Sequence, residues 1–133
     1  MNIWFSAEME NPEILLCDSI LGLRLLGQSL FEINDEVEFA ASEDRDEFYP
    51  ENLDRLIIRK SELPEYKDQL KISLFPRDLI IEGNQRALEN LGNSILGNFD
   101  EKTDEQFHMH LDHIGEGGLV GPTNCNLIIK REH

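Results

Sequence analysis

An internal repeat is the feature that most limits the folds open to this chain. Residues 13–31 align without gaps on residues 78–96, and 50–60 resembles 122–131. Identical residues meet where Leu23, Leu26, Gly27 and Ser29 align with Leu88, Leu91, Gly92 and Ser94. Two unrelated strand–helix units can share an apolar pattern by coincidence, but strand, helix and closing strand recur here in the same order. That order favours duplication of one supersecondary unit.

Each copy carries the pattern of two strands, a helix and two further strands. In the second copy, apolar and polar side chains alternate over 70–75, a turn follows, and 78–82 is a β-branched strand. Strict alternation over 37–41 and 107–112 predicts strands with one exposed face. The sequence therefore predicts an α+β fold of two pseudo-repeated ββαββ units, with a mostly antiparallel sheet and two helices packed on it.

The length of the chain limits how these units are arranged. The 133 residues suffice for one compact domain and are too few for two ordinary ones. We assign 1–63 to the first unit and 69–133 to the second, joined by a link over 64–68 within one single domain. Whether the two units form one continuous sheet is left open by the sequence.

The ends of the two helices are marked by capping residues. Asp18 or Ser19 is expected to cap the first helix, and Asn84 the second, by accepting a hydrogen bond from an amide of the first turn. Gly97 and Asn98 predict a left-handed stop at the end of the second helix.

The two helices differ on their flanks and share a glycine. Leu21 and Leu25 stand where the second helix has polar residues, and a helix that is apolar on more than one side must be buried on more than one side. We expect the second helix or another subunit to cover them, so a homodimer is possible. Gly27 and Gly92 each cost about 1 kcal/mol relative to alanine inside a helix. Close approach of a strand or of the other helix would explain both glycines.

The strong acidity of the chain excludes several classes of partner. Acidic residues outnumber basic ones 27 to 12, and the net charge is -15. Nucleic acids and anionic membrane surfaces both require clustered lysine and arginine, so neither is an expected partner. The start of the chain has no basic segment typical of a signal peptide, so we expect a cytoplasmic protein. In that compartment Cys17 and Cys125 are expected to be reduced thiols.

The negative charge is concentrated in one segment. Residues 32–54 contain ten acidic residues and one basic residue, so they carry -9 of the total charge. Such a cluster accelerates encounter with a basic partner, and aromatic residues within it are typical interface anchors. The candidate partner-binding residues are Glu43, Asp44, Asp46, Glu47, Phe48 and Tyr49. The alternative is a surface that is acidic for solubility alone.

A histidine-rich strand offers a different chemistry. On a strand over 107–112, His108, His110 and Asp112 would share one face while the intervening side chains enter the core. Two imidazoles and a carboxylate could hold zinc or iron with open positions, as in a metal-binding protein or a metal-dependent enzyme. The alternative is a solvated strand face, which the same alternation also requires.

The second unit as a whole carries a family resemblance. Its segments are 70–75, 78–84, the helix residues Ala87, Leu88 and Leu91, and the strands 108–112 and 127–129. This combination resembles immunity proteins of bacterial polymorphic-toxin systems. The resemblance implies a cytoplasmic protein without enzymatic activity or cofactor that binds and blocks a cognate toxin. A structural or accessory domain is the remaining hypothesis.

Overall fold

The computed structural model describes residues 1–6, 12–43, 51–123 and 125–132. Within these ranges the chain forms nine strands and two helices. They are β1 (Asn2–Phe5), β2 (Glu13–Asp18), α1 (Ile20–Ser29), β3 (Glu36–Ala40), β4 (Glu51–Asn52), β5 (Arg55–Lys60), β6 (Lys71–Leu74), β7 (Asp78–Gly83), α2 (Gln85–Asn98), β8 (Met109–Leu111) and β9 (Asn126–Arg131).

The strands form two separate sheets. The first sheet has the order β4-β1-β2-β9-β8, and the second has the order β3-β5-β7-β6. The pairs β2/β9 and β5/β7 are parallel, and the other strand pairs in the described residues are antiparallel. The predicted α+β class with mostly antiparallel pairing is therefore confirmed, and the strands form two sheets, an arrangement that the sequence left open.

Each sheet is built from both halves of the chain. The first sheet joins the hairpin β1–β2 to β8 and β9, and the second joins the hairpin β6–β7 to β3 and β5. The parallel registers also correspond, because Leu15 lies opposite Ile128 in one sheet and Ile80 lies opposite Ile57 in the other. Duplication as the origin of this correspondence, and the division into units 1–63 and 69–133, stay predictions.

One apolar core lies between the inner faces of the sheets and the helices. It includes Leu16 and Ile129 from the first sheet, Ile58 and Ile81 from the second, and Leu91 from α2, all at most 2% exposed. The four central strands β2, β5, β7 and β9 each contain consecutive apolar residues, and alternate members of each run enter this core.

The helix starts follow the sequence, whereas one helix end does not. Ser19 Oγ accepts a hydrogen bond from the Gly22 amide at 3.0 Å, and Asn84 Oδ1 accepts one from the Ala87 amide at 2.8 Å, so both predicted caps are confirmed. The predicted left-handed stop at Gly97 and Asn98 is wrong, since both residues lie within α2. The helix ends in extended backbone at Phe99, which is fully buried. Burial of this ring directs the chain away from the helix without a left-handed residue.

The helices α1 and α2 approach each other at the two equivalent glycines. A Cβ atom on Gly92 would lie 2.8 Å from the Gly27 carbonyl oxygen and 2.7 Å from the Phe31 ring. A Cβ atom on Gly27 would lie 3.1 Å from Ile95 Cγ2 on α2. The predicted close approach is therefore confirmed, and the neighbour of each glycine is the other helix.

We expect Gly92→Ala to destabilise the protein by about 1–3 kcal/mol, because the added methyl group overlaps the Gly27 carbonyl and the Phe31 ring. Gly97 is the matched control on the same helix, since a Cβ there meets no atom within 4 Å. Gly97→Ala should stabilise by up to about 1 kcal/mol through helix propensity alone. Urea unfolding of both variants measures the difference, and an equal gain in stability for both would contradict this close approach.

A second prediction concerns the exchange of strands between the halves. Fragments 1–63 and 64–133 should not fold separately as monomers, because each sheet takes strands from both. An equimolar mixture should form one folded 1:1 complex. Circular dichroism and sedimentation of each fragment and of the mixture test this expectation, and a folded monomeric fragment would contradict it.

Candidate functional site

The predicted partner-binding residues fall only partly within the described structure. Residues 44–49, and with them Asp44, Asp46, Glu47, Phe48 and Tyr49, lie outside the described residues. Glu43 is described, and its side chain is exposed. It lines an open cavity of about 640 Å³ together with Glu51, Asp54 and Arg77. The described border of the acidic segment is thus a cavity with three carboxylates and one guanidinium group.

Next to this cavity, the outer face of the β3-β5-β7-β6 sheet carries ordered rows of charge. In the antiparallel register of β3 and β5, Glu36 lies opposite Arg59 and Glu38 lies opposite Ile57. In the parallel register of β5 and β7, Arg55 lies opposite Asp78, and Arg59 lies opposite Glu82. The period of two places these charged residues on one face, and the core residues between them on the other.

Arg55 is held between two carboxylates of this face. Its Nε and Nη2 atoms donate to the two oxygens of Asp78 at 3.1 and 2.7 Å, and its Nη1 donates to Glu38 Oε2 at 3.0 Å. Asp78 is buried, whereas the Glu38 side chain is about half exposed. The hydrogen bonds with Asp78, and secondarily those with Glu38, raise the pKa of Arg55 above its ordinary value.

Two further arginines repeat this arrangement. Arg59 Nε lies 2.9 Å from Glu36 Oε1, and its Nη1 lies 3.8 Å from Glu82 Oε2. At the cavity, Arg77 Nη1 lies 3.4 Å from Glu51 Oε2, and its Nε lies 3.5 Å from Asp54 Oδ1. Arg77 also donates a hydrogen bond to the backbone carbonyl oxygen of Asn52, and this bond fixes the Arg77 side chain between Glu51 and Asp54.

We name the face formed by these residues the shared-arginine face. Its members are Arg55, Arg59, Arg77, Glu36, Glu38, Glu51, Asp54, Asp78 and Glu82. Three positive and six negative groups leave a net charge of -3. Two further charges lie beside this face, Lys71 of β6, which is opposite Glu82, and the exposed Glu43 at the cavity. They have opposite signs and leave the net charge of -3 unchanged.

Sequence reasoning found only part of this face. The glutamates of β3 and the carboxylates of β4 and its flank belong to the predicted acidic segment 32–54. Arg77, Asp78 and Glu82 come from the second half of the chain and were missed. The sequence does carry a signal for them. Two charged residues stand four positions apart on each of two strands, Arg55 and Arg59 on β5 and Asp78 and Glu82 on β7. An even spacing on a strand places both residues on the same face.

The predicted metal ligands occupy the edge of the other sheet. His108 and His110 are both exposed, with ring centres 6.3 Å apart, whereas Asp112 is half-buried. The strand β8 is shorter than expected and includes only His110 of the three. The core side of the strand is as predicted, since Met109 and Leu111 are buried. Among the described residues, no three His, Cys, Asp or Glu side chains are grouped so that they could hold a metal ion. Zinc or iron binding by these residues stays a prediction.

Both cysteines are free and buried. Cys17 packs with Trp4 and Leu15 in a small apolar cluster on the outer face of the first sheet, and burial raises its pKa from 9.0 to about 11. Burial also raises the pKa of Cys125, and this effect is larger than the lowering caused by a hydrogen bond with Thr123. A thiolate is therefore disfavoured at both positions near neutral pH.

Among the described residues, no element covers the exposed side of the first helix. Leu21 is 69% exposed and Leu25 is 55% exposed, although α2 packs against another side of α1. No described helix has the length and apolar character needed to cross a membrane.

Comparison of the chain with protein-family models, with curated proteins and with solved structures found no match.

The buried carboxylate of the shared-arginine face gives a stability prediction. Asp78→Asn should destabilise the protein by about 1–2 kcal/mol, because it replaces a buried charged partner of Arg55 by a weaker acceptor. Glu38→Gln is the matched control on the same arginine, and its half-exposed pair should contribute less than about 0.5 kcal/mol. Urea unfolding at neutral pH tests the difference, and equal effects of the two substitutions would contradict the unequal roles assigned to these carboxylates.

Proposed function

We propose that the protein is an acidic protein-binding module that recognises a basic protein partner. The proposed contact surface is the shared-arginine face together with the acidic segment that begins at Glu43 and continues through residues 44–49. The observation that carries this proposal is the pairing of each arginine on that face with two carboxylates.

This pairing has a direct consequence for recognition. An ionised carboxylate has about four acceptor positions, and one arginine cannot occupy all those of two carboxylates. Lysine or arginine side chains of a partner can therefore bind to the remaining acceptors of the exposed carboxylates, such as Glu36 and Glu38, without displacing the resident guanidinium groups. Because the resident arginines fix the carboxylates in position, less side-chain freedom is lost when the partner binds.

The rigid support of the face also favours binding. Glu36 and Glu38 are on β3, and Asp78 and Glu82 are on β7, the two strands that flank β5 in one sheet, so their spacing is set by the strand register. Excess negative charge on such a surface accelerates encounter with a positively charged protein and slows encounter with a second copy of this chain. The net charge of -15 acts in the same direction.

A toxin is the partner class that we propose. The second unit resembles immunity proteins of polymorphic-toxin systems, and an acidic inhibitor fits a toxin whose working surface is basic. Inhibition would follow from occlusion of that surface, so the protein needs neither a catalytic group nor a cofactor. Cytoplasmic localisation in a bacterium belongs to the same proposal.

Charge reversal within the acidic segment tests the proposal. The partner in the test is the basic protein encoded by the neighbouring reading frame. The triple variant Glu43→Lys, Asp44→Lys and Asp46→Lys should weaken its affinity at least tenfold in calorimetry and should reduce the dependence of affinity on salt. Its ability to protect cells that express the partner should fall in parallel.

The control variant carries the same change in net charge elsewhere. Its substitutions are Glu65→Lys, Glu116→Lys and Glu132→Lys, at exposed residues that do not belong to the shared-arginine face, and they should change the affinity by less than about threefold. Equal losses in both triple variants would show that net charge alone matters. A partner that binds with no dependence on salt would contradict the proposal.

A further inference from the structure

The exposed side of α1 carries an apolar surface that the described part of this chain leaves uncovered. Leu21 and Leu25 are one helical turn apart, so their side chains lie on the same side of the helix. Soluble proteins tolerate isolated exposed leucines, but adjacent ones with a neighbouring cavity are typical of a docking surface.

The corresponding positions of α2 show that the fold does not require leucine here. In the repeat alignment, Leu21 and Leu25 correspond to Arg86 and Asn90, which are also exposed on their helix. Polar residues thus suffice at these positions, because the contact between the helices is made on another side, at Gly27 and Gly92. Another contact must account for the apolar residues of α1.

A cavity beside Leu21 gives the surface a defined shape. It has a volume of about 610 Å³ and is lined by Ile20, Leu21, Arg24 and the turn 100–102. Arg24 is fixed in this wall, because its Nη1 donates to the carbonyl oxygens of Leu96 and Phe99 at 3.1 and 2.7 Å. Its positive charge thereby faces the carboxyl end of α2, where a cation is favourable.

The turn that closes the cavity is acidic. Residues 100–105 include Asp100, Glu101, Asp104 and Glu105, with Lys102 as the basic member, so the segment carries -3. Backbone hydrogen bonds hold this turn in place, since Lys102 N donates to Asp100 Oδ1 at 2.8 Å and Thr103 N donates to the Asp100 carbonyl oxygen at 3.0 Å. The apolar surface therefore lies beside an acidic rim, in which Asp100, Glu101 and Lys102 line the cavity and Asp104 and Glu105 follow outside that lining.

These charges decide between the possible occupants. A second copy of this chain would bring another net charge of -15 and a second acidic rim towards the first. An amphipathic segment with leucine-like side chains on one side and lysine or arginine along its borders complements both the apolar surface and the rim.

We propose that α1 and the turn 100–105 form a docking site for a basic amphipathic helix of a partner protein. The site lies apart from the shared-arginine face in its residues and stands on different observations. A partner that binds both would be held by charge at one surface and by apolar burial at the other.

A synthetic peptide tests the site without knowledge of the partner. The probe is a 14-residue amphipathic helix made of leucine, alanine and lysine with a fluorescent label, and its binding to the full chain is followed by anisotropy at 150 mM salt. Leu21→Gln with Leu25→Gln should raise the Kd at least tenfold, because the peptide loses its apolar contact. Asp100→Lys with Glu101→Lys should also raise the Kd, because these substitutions reverse the charge of the rim and leave the apolar contact unchanged.

The matched control removes exposed apolar residues at other places. Phe75 and Ile114 are 73% and 83% exposed, and Phe75→Ser with Ile114→Ser should change the Kd by less than twofold. Circular dichroism verifies that each variant is folded. Equal losses in the leucine variant and in the control would overturn the proposal.

Two further outcomes keep this proposal distinct from others. One outcome is that the unmodified chain forms a dimer and that Leu21→Gln with Leu25→Gln abolishes it. This result would show that a second copy covers the surface, and it would overturn the proposed occupant. The triple charge reversal at Glu43, Asp44 and Asp46 should leave peptide binding within threefold, since this site shares no residue with the acidic segment and salt screens exposed charges. Loss of the toxin contact and loss of this site are therefore separate results.

Discussion

The parallel pairing of β2 with β9 and of β5 with β7 is the interaction on which the rest of the structure depends. Each pair joins an early strand of one half to the last strand of the other, so neither sheet exists without both halves of the chain. The helices then run across a core enclosed by both sheets, and they can approach closely only because Gly27 and Gly92 lack side chains. Parallel pairs of this kind close long loops before they gain contact energy, so we expect their formation to be late in folding.

Local signals in the sequence predict secondary-structure elements. The features that they did not predict depend on contacts between residues that are distant in the sequence. Alternation and capping residues predicted the strands, the starts of both helices and the close approach at the glycines. The exchange of strands could not be predicted, because the apolar runs at 14–16 and 127–129 are equally suited to several neighbours. The end of α2 was placed too early, since the burial of Phe99 outweighs the local preference of Gly97 and Asn98.

The candidate sites, like the fold, combine local features that the sequence predicts with features that depend on strand pairing. The acidity of segment 32–54 is visible in the sequence, but the way in which its glutamates share arginines with Asp78 and Glu82 depends on the register of three strands. The exposure of Leu21 and Leu25 was not decided by the sequence, which left open whether the second helix or another subunit covers them. Apolar periodicity predicts burial, and it does not distinguish a surface covered by the same chain from one that another molecule covers.

Differences between corresponding positions of the two halves therefore indicate function better than their similarities do. Where Leu15 and Cys17 form an apolar cluster on one sheet, Ile80 and Glu82 lie among charged rows on the other. The core residues at matching positions are uniformly apolar, because both halves solve the same packing problem. Among the described residues, the shared-arginine face has no equivalent on the first sheet, and clustered carboxylates lower stability through mutual repulsion. Folding alone does not select such a surface, and binding of the proposed basic partner would compensate this cost.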